Sequence, residues 1–452
     1  MRLRKTITTI VATAILLAGW QLFAVIANQP ELIPSLPRLV RTLCEWLVSG
    51  SFYQSVGATI FRGILGMSIS FVCAIGMAGL FARFEWVYEL FRPLLAIMRS
   101  IPVISFILLA LIFLNPESIP LMIAFLTMFP LLTENLTRGI LDLRPGLSIM
   151  ARQFHIKRSN VLFQIIYPQL KPFLYSGLAS AAGFGWRAII MGEVLSQCAF
   201  GIGSEMKRAQ NFIAVPELLA WTIVAVFISF FFDKGISKVA DITPKISFAN
   251  EDQTIPTPTL SVLDTKDISY QYGIQHFSHS FQKGIIYGIS APSGKGKTTL
   301  LNLIGGILLP TKGEIHPTRH FGIATIFQQP QLLPHLTAEE NIILPLSSFL
   351  TEEKARRIAQ KHLQEMEMEP FGNRYPKELS YGQQQRIAIA RALAYPSPLL
   401  LMDEPFKGLD EALSHRIIER IREKQMKEER IILFTSHNPD EIRLLADEVI
   451  YL

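Results

Sequence analysis

Two different patterns of apolar and polar positions divide the 452-residue chain. In the first half, long apolar stretches succeed one another, each close to the roughly 20 residues that a helix needs to cross a bilayer. Their positions predict spans at 7–27, 60–82, 94–114, 119–136, 173–195 and 217–232, with Pro130 interrupting the fourth. Between the first two, Leu39 to Val48 fits either a short interfacial helix or a simple loop. Residues 241–260 then turn polar, carry Pro244, Pro256 and Pro258 and lose any apolar period, which reads as a linker. From Ser261 onward, short apolar runs alternate with polar helical stretches, the pattern of an α/β domain. The expected fold is an all-α polytopic membrane domain of about six transmembrane helices over 1–240, a linker over 241–260 and an α/β domain over 261–452.

Composition supports the membrane reading. Half of the residues are hydrophobic and only 18% are charged, which excludes an ordinary soluble enzyme. The net charge of +6 is unevenly spread: residues 1–245 hold 21 Lys/Arg against 12 Asp/Glu, whereas 246–452 hold 22 against 25. The basic excess is scattered between apolar spans, as in loops facing the cytoplasm, and forms no nucleic-acid patch. Met1-Arg2-Leu3-Arg4-Lys5 precedes an apolar run too long for a signal peptide, so the first helix is expected uncleaved with its N-terminus inside. Six spans return the chain to the cytoplasm. The inside segment 137–172 then carries Arg138, Arg144, Arg152, Lys157, Arg158 and Lys171, while the outer turn near Asn115–Ser118 carries no basic residue. Cys44, Cys73 and Cys198 are too few and too dispersed for a disulfide framework or a metal cluster.

The strongest chemical signal lies in the second half. Ala291-Pro292-Ser293-Gly294-Lys295-Gly296-Lys297-Thr298-Thr299 comes after a strand-like run and opens a helix-like one. That context suits a phosphate-binding loop: glycines let successive N–H groups turn onto phosphates at a helix N-terminus. Lys297 is placed to reach the β- and γ-phosphates, and the Thr298 hydroxyl to sit on Mg²⁺. Alanine stands at 291, where the pattern has its first glycine. Leu399-Leu400-Leu401-Met402-Asp403-Glu404-Pro405 is a buried apolar strand ending in two carboxylates. Asp403 can hold the metal's water shell, and Glu404 can orient or deprotonate an attacking water. His437 comes after another such strand. An aromatic for adenine is expected at Tyr272, with Tyr270 its rival and a plain core tyrosine the alternative.

The membrane half offers less. Arg187 and Glu193 lie in the fifth span, where charges are costly and face a partner or a water-filled path. Six residues turn a helix by about 600°, so the two point to different faces and do not pair with each other. Arg187 lies near the route of an anionic solute, or bridges to a neighbouring helix or a headgroup. Ile149 to Arg158, with Ile165-Ile166-Tyr167-Pro168 beyond it, is basic with interspersed apolar residues. Physics alone allows it to dock on another domain or to lie on anionic headgroups.

These residues resemble ABC transporters. Over 261–452 the phosphate loop, Gln328, the signature Leu379-Ser380-Tyr381-Gly382-Gln383, the Asp403-Glu404 pair, Asp410 and His437 occur in family order. The resemblance implies an α/β P-loop ATPase domain of the ABC type. In it Gln328 contacts Mg²⁺ and water, and His437 contacts the γ-phosphate. The signature, with Ser380, Gly382 and Gln383, closes over ATP held by a second copy, Ser380 and Gly382 meeting its γ-phosphate, and Asp410 is a further nucleotide-binding residue. Departures are Ala291, Tyr381 in place of a glycine, and Lys407-Gly408 before Leu409-Asp410. The segment with Ala151, Ile165 and Pro168 in register resembles the cytoplasmic coupling loop of binding-protein-dependent permeases. Arg99-Ser100-Ile101-Pro102, Trp186-Arg187, Gly192-Glu193 and Gly201-Ile202-Gly203 are similar to the nitrate/sulfonate/taurine group. Both resemblances together imply ATP-driven uptake of a small anionic solute delivered by an extracytoplasmic binding protein, with an exporter or an ATP-gated sensor as the alternatives. The implied setting is a homodimer in the prokaryotic inner membrane, with the ATPase domain in the cytoplasm and ATP and Mg²⁺ as cofactors.

Overall fold

The computed structural model describes residues 2–240, 244–253, 260–271, 273–292, 294–317 and 322–452. Tyr272 and Ser293, both expected at the nucleotide, lie outside the described residues, as do 241–243 and 254–259 of the expected linker. Contacts gather the chain into two compact units: Met1–Leu143 with Gln169–Thr243, and Arg144–Pro168 with Pro244–Leu452.

The first unit contains α1 (Arg2–Ala27), α2 (Leu36–Trp46), α3 (Gly50–Arg83), α4 (Glu85–Ser100), α5 (Val103–Phe113) and α6 (Ile119–Leu141). After α7 (Pro145–Gln153) and the turn α8 (Arg158–Asn160), which belong to the second unit, it resumes with α9 (Tyr167–Ser196), α10 (Ile202–Asn211) and α11 (Val215–Ala240). Among the described residues, four helical segments are long and apolar enough to span: Gly50–Arg83, Pro116–Leu141, Arg158–Ser196 and Val215–Ala240. A fifth is counted if α4 and α5 form one span bent by 94°, and α1 holds a shorter apolar run, Val11–Ala27.

Proline explains where the form of the spans departs from the sequence reading. The expected third span breaks at Ile101-Pro102, because proline pushes the preceding residue out of helical geometry; Ile101 sits at φ −71°, ψ 129°. Pro130, expected to interrupt the fourth span, instead lies inside an unbroken α6. Around it α6 packs on α3, Met128, Phe129 and Leu132 sharing a core with Ala74 and Ala78. Gly63, Gly66, Ser70, Ala74 and Ala78 line the buried face of α3. A Cβ on Gly66 would lie 2.8 Å from that of Ala124, so only small residues permit this approach.

The second unit carries β1 (Val262–Tyr270), β2 (Ile274–Gln282), β3 (Ile286–Ser290), α12 (Lys297–Ile304), β4 (Lys312–His316), β5 (Ala324–Ile326), α13 (Ala338–Leu346), α14 (Glu352–Glu365), α15 (Tyr381–Ala394), β6 (Leu399–Asp403), α16 (Glu411–Glu428), β7 (Ile431–Thr435), α17 (Pro439–Leu445) and β8 (Glu448–Tyr451). An antiparallel sheet runs β2-β1-β4, and a parallel one runs β5-β6-β7-β3-β8. The parallel strands β6 and β7 are buried throughout, as expected of a sheet covered on both faces. Alternation divides their side chains. Leu400, Met402, Ile432 and Phe434 join the core beneath α13 to α16, whereas Leu399, Leu401, Ile431 and Leu433 join the core with α12 and the antiparallel sheet.

Segment 144–168 packs into this unit. Leu147, Met150, Ala151 and Phe154, at i, i+3, i+4 and i+7, put one stripe of α7 into the larger core. Residues 244–253 also lie against it: Ala249 N donates to Ser347 O at 3.0 Å and Gln253 N to Phe349 O at 2.8 Å.

Candidate functional site

Register assembles the site. In the parallel sheet Asp403 pairs with Thr435, and Thr435 with Ile289, so the ends of β3, β6 and β7 lie side by side. The chain leaving β3 forms the phosphate loop, in which Gly294 (φ +80°) and Gly296 (φ +92°) take left-handed conformations closed to most side chains. At Gly296 a Cβ would also come within 2.6 Å of Gly273 O, so the turn after β1 presses on the loop. Lys297 begins α12 and is buried, with Nζ donating to Ala291 O at 2.6 Å and lying 3.3 Å from His437 Nδ1.

Asp403 accepts from Thr298 Oγ1 at 2.9 Å and from Thr435 Oγ1 at 2.8 Å. Burial pushes its carboxyl above the ordinary carboxylate range, further than these hydroxyls pull it down. Glu404 occupies a left-handed conformation (φ +49°) uncommon for a side-chain residue, its N–H donating to Thr435 Oγ1 at 3.1 Å. Its carboxylate meets His437 Nε2 at 3.0 Å and Lys407 Nζ at 3.3 Å. Burial raises its carboxyl, but hydrogen bonds from Gln328 and Lys407 and the charges of Lys407 and His437 outweigh that and hold it below its usual value. The two adjacent carboxylates are thus driven in opposite directions, Asp403 toward the neutral form and Glu404 toward the ionised one.

The donors fit a hard cation. Thr298 hydroxyl and Asp403 carboxylate are within hydrogen-bond reach of each other, and Gln328 brings an amide oxygen from the end of β5, an oxygen set suited to Mg²⁺. Lys295 and Thr299 flank them on the loop and in α12.

The signature residues stand at the N-terminus of α15. Ser380 caps that helix: its Oγ accepts from Gln383 N at 3.3 Å, and Gln383 Oε1 accepts from Ser380 N at 2.9 Å. Asp410 caps α16 by accepting from Leu413 N at 2.9 Å. Gly382 meets the turn before α16, since a Cβ there would lie 2.5 Å from Gly408 O. Ser380 and Asp410 are exposed and, among the described residues, make no hydrogen bond to the phosphate loop, so within one chain these residues cap helices.

Several contacts escaped the sequence reading. Tyr381 OH donates to Gln328 O at 2.7 Å, tying the signature to the Gln328 loop. Arg391 is buried and donates to Pro330 O and Gln331 O, each at 2.8 Å, with its guanidinium 5.5 Å from the Phe154 ring. Desolvation pulls it down to about 10, which leaves it a cation at neutral pH. Gln153, at the end of α7, donates to Gly305 O at 2.8 Å through its side chain, and its carbonyl accepts from Ile323 N at 2.8 Å. One turn of chain thereby touches the far end of α12 and the entry to β5.

In the membrane unit, Glu193 is fully buried and bonded to Arg62 at 2.7 Å, to Thr59 Oγ1 at 3.0 Å and to Gly203 N at 3.0 Å. A neighbouring helix neutralises it, and Arg187 is not its partner, as the helical rotation requires. A Cβ on Gly201 would lie 2.6 Å from Glu193 Cδ, which ties the Gly201-Ile202-Gly203 motif to this carboxylate. Glu117 joins the knot, accepting from Arg62 at 2.6 Å and from Ala199 N at 2.6 Å. Arg62 carried no motif.

A loop of backbone amides at a helix start, a buried lysine and paired carboxylates at strand ends define a P-loop nucleotide-binding unit. Family models agree: residues 274–407 match ABC transporter, and residues 66–233 match the binding-protein-dependent transport system inner membrane component. The thiamine import ATP-binding protein ThiQ of Yersinia pseudotuberculosis is 34% identical over 205 residues, covering 42% of this chain and 86% of that protein. The Fe(3+) ions import ATP-binding protein FbpC of Rhizobium etli is 35% identical over 189 residues, covering 40% of this chain and 54% of that protein. The glucose import ATP-binding protein GlcV of Saccharolobus solfataricus is 35% identical over 185 residues, covering 38% and 52%. The chain thus spans about half the length of the first curated relatives it matches. A dimeric ATP-binding cassette with ADP and Pi is 31% identical, covering 42% of this chain and 94% of that one, at a TM-score of 0.40. The chain belongs to the ABC transporter family.

Proposed function

We propose that this chain is both permease and motor of an ATP-driven importer. The observation that carries the reading is the assembly, in one chain with a binding-protein-type membrane component, of a phosphate loop with Asp403, Glu404 and His437 at the strand ends. On this reading 1–240 form the membrane domain, 241–260 the linker and 261–452 the ATPase.

The loop amides and Lys297 bind the phosphates, with Tyr272 stacking on adenine and Pro292 to Thr299 cradling the chain of phosphates. Thr298, Asp403 and Gln328 would hold Mg²⁺, which when bound neutralises charge building on the phosphates. Glu404, ionised at neutral pH, accepts a proton from a water that attacks the γ-phosphorus. The bond to the leaving ADP oxygen breaks, and phosphate departs. His437, 3.0 Å from Glu404, orients that carboxylate and meets the γ-phosphate. Ser380, Gly382, Gln383 and Asp410 of a second copy complete the nucleotide's cover, so the working unit is a homodimer.

Gln153 and Arg391 support coupling. They tie α7 to α12 and to the backbone after Gln328, so a shift of either on closure moves the segment leading into α9. The cargo we infer is a small anionic solute of the nitrate, sulfonate or taurine kind, delivered by an extracytoplasmic binding protein across a prokaryotic inner membrane. Relatives named for iron, glucose and thiamine import are ATP-binding proteins that cover 38% to 42% of this chain; they favour import over export without selecting the solute.

The Glu404→Gln variant tests the motor. It keeps the shape and removes the base, so ATP binding is retained while turnover falls by about 10²-fold or more. Turnover within about twofold of the parent would remove Glu404 from the base role.

A further inference from the structure

Residues 244–253 belong to a stretch whose composition reads as a spacer, yet the structure gives them fixed partners. The N–H groups of Ser247, Ala249 and Gln253 stand at even spacing, along one edge of an extended chain. They donate to Asn160 Oδ1 at 2.8 Å, Ser347 O at 3.0 Å and Phe349 O at 2.8 Å. Ile246 and Phe248 pack against the larger core. Asp252 accepts from the N–H and the hydroxyl of Thr351 at 2.9 and 3.0 Å, and its carboxylate stands 3.5 Å from Lys354 Nζ. A passive spacer would leave its backbone to water.

The turn 347–351, between α13 and α14, takes segment 144–168 at the same place. Lys157 N donates to Ser348 Oγ at 2.9 Å, and Asn160 Nδ2 to Ser347 Oγ at 2.8 Å. Asn160 also joins the two segments to each other. Its amide pairs with both backbone groups of Ser247, accepting from N and donating to O, each at 2.8 Å. Gln164 Nε2 adds a bond to Pro244 O at 3.0 Å. Asn160, Gln164 and Ser347 are buried, so if either segment left, polar groups of the other would lose their partners. Each segment therefore docks more tightly when the other is in place.

Connectivity gives this pairing a use. Segment 144–168 lies between α6 and α9, whereas Pro244 follows the end of α11 by four residues. Different membrane helices thus lead into one turn of the ATPase unit.

We propose that residues 244–253 are a second transmission element, docked cooperatively with segment 144–168 on the turn 347–351 through Asn160. The proposal rests on the reading of this chain as permease and motor, and it gives the linker a mechanical part in that reading.

Hydrogen exchange on the full chain in lipid nanodiscs tests it. Asn160→Ala should speed exchange at the amides of 247–249 by about tenfold or more, with ATP affinity at the parental level as the check on folding. Replacing 244–253 by glycine and serine in equal length should speed exchange of the Lys157 amide by about fivefold or more. An unchanged linker in the first variant, or an unchanged Lys157 amide in the second, means independent docking and overturns the proposal. Transmission is read at the end of α11. In a Glu404→Gln background, ATP should alter exchange over 236–240 with the native linker and not with the glycine-serine one. Equal changes with both linkers, or none with either, overturn the transmitting role. Turnover stimulated by an extracytoplasmic binding protein tests the importer reading separately. Its absence, with the reciprocal loosening and the linker-dependent response to ATP intact, would remove the importer and uphold the second transmission element.

Discussion

Asp403 and Glu193 are both buried carboxylates, one in each unit, and they are settled differently. Glu193 receives a guanidinium, a hydroxyl and a backbone N–H, so its charge is matched within the fold. Asp403 receives two threonine hydroxyls and no guanidinium, and burial leaves its carboxyl raised. A carboxylate matched by Arg62 is finished as structure. One bonded only to hydroxyls, with the nearby Lys297 charge not offsetting burial, keeps a demand for positive charge. A directly bonded counterion therefore distinguishes the Glu193 carboxylate from that of Asp403 in this chain.

That contrast is broken most directly at Glu193. Glu193→Ala strands the Arg62 guanidinium, itself only 12% exposed, with Glu117 as its remaining acid. Breaking a buried pair from one side costs about 3–5 kcal/mol. SDS-titrated unfolding in mixed micelles should show a loss of that size, whereas ATP binding by the second unit stays at the parental level. A loss below about 1 kcal/mol would mean that the knot is dispensable and that internal pairing does not mark structural charge.

How much of this was legible in sequence depends on the range of the interactions. The phosphate loop lies within nine consecutive residues, and the carboxylate pair ends a single strand. Both are local patterns whose residue types alone name their chemistry, so the α/β fold and the ATPase family emerged together. The Glu193 knot joins residues 131 positions apart, and nothing near Arg62 announces its partner. Proline misled in both directions, because its local effect is fixed while its consequence depends on packing: Pro130 is absorbed where α6 lies against α3, whereas Pro102 bends the chain. The docking stripe of α7 was present as spacing, but whether protein or lipid covered it required the core it enters. Arg391 stands in a helical run that reads as ordinary amphipathic sequence, and its role is visible only through the two carbonyls it holds.

A smaller test sharpens the site itself. Tyr381 stands where the resembled signature has glycine, and its hydroxyl holds Gln328 O while the Gln328 side chain bonds Glu404. Tyr381→Phe removes one hydrogen bond worth about 1 kcal/mol, so kcat should fall about three- to fivefold while KM for ATP stays constant. A rise in KM at constant kcat would place Tyr381 in nucleotide binding and remove it from positioning Gln328.

The smallest expected effect concerns Lys407, which stands 3.3 Å from the Glu404 carboxylate and is half exposed. Its charge is one of the influences that outweigh burial and hold Glu404 below its ordinary value. A base works when unprotonated, so activity is full above the Glu404 pKa and falls as pH drops through it. With the pKa lowered, that acid limb lies below the usual carboxylate range. Lys407→Met lets burial act with less opposition, and the limb moves to higher pH. Solvent screening of an exposed ammonium keeps the shift small. The ratio of turnover at about pH 5 to that at about pH 7.5 should therefore fall by about twofold, with no change at the higher pH. His437 remains at 3.0 Å, so the base function survives. An unchanged ratio would mean that Lys407 does not tune the base, leaving Gln328 and His437 to hold Glu404 ionised. A uniform loss at every pH would instead assign Lys407 to the shape of the turn before α16.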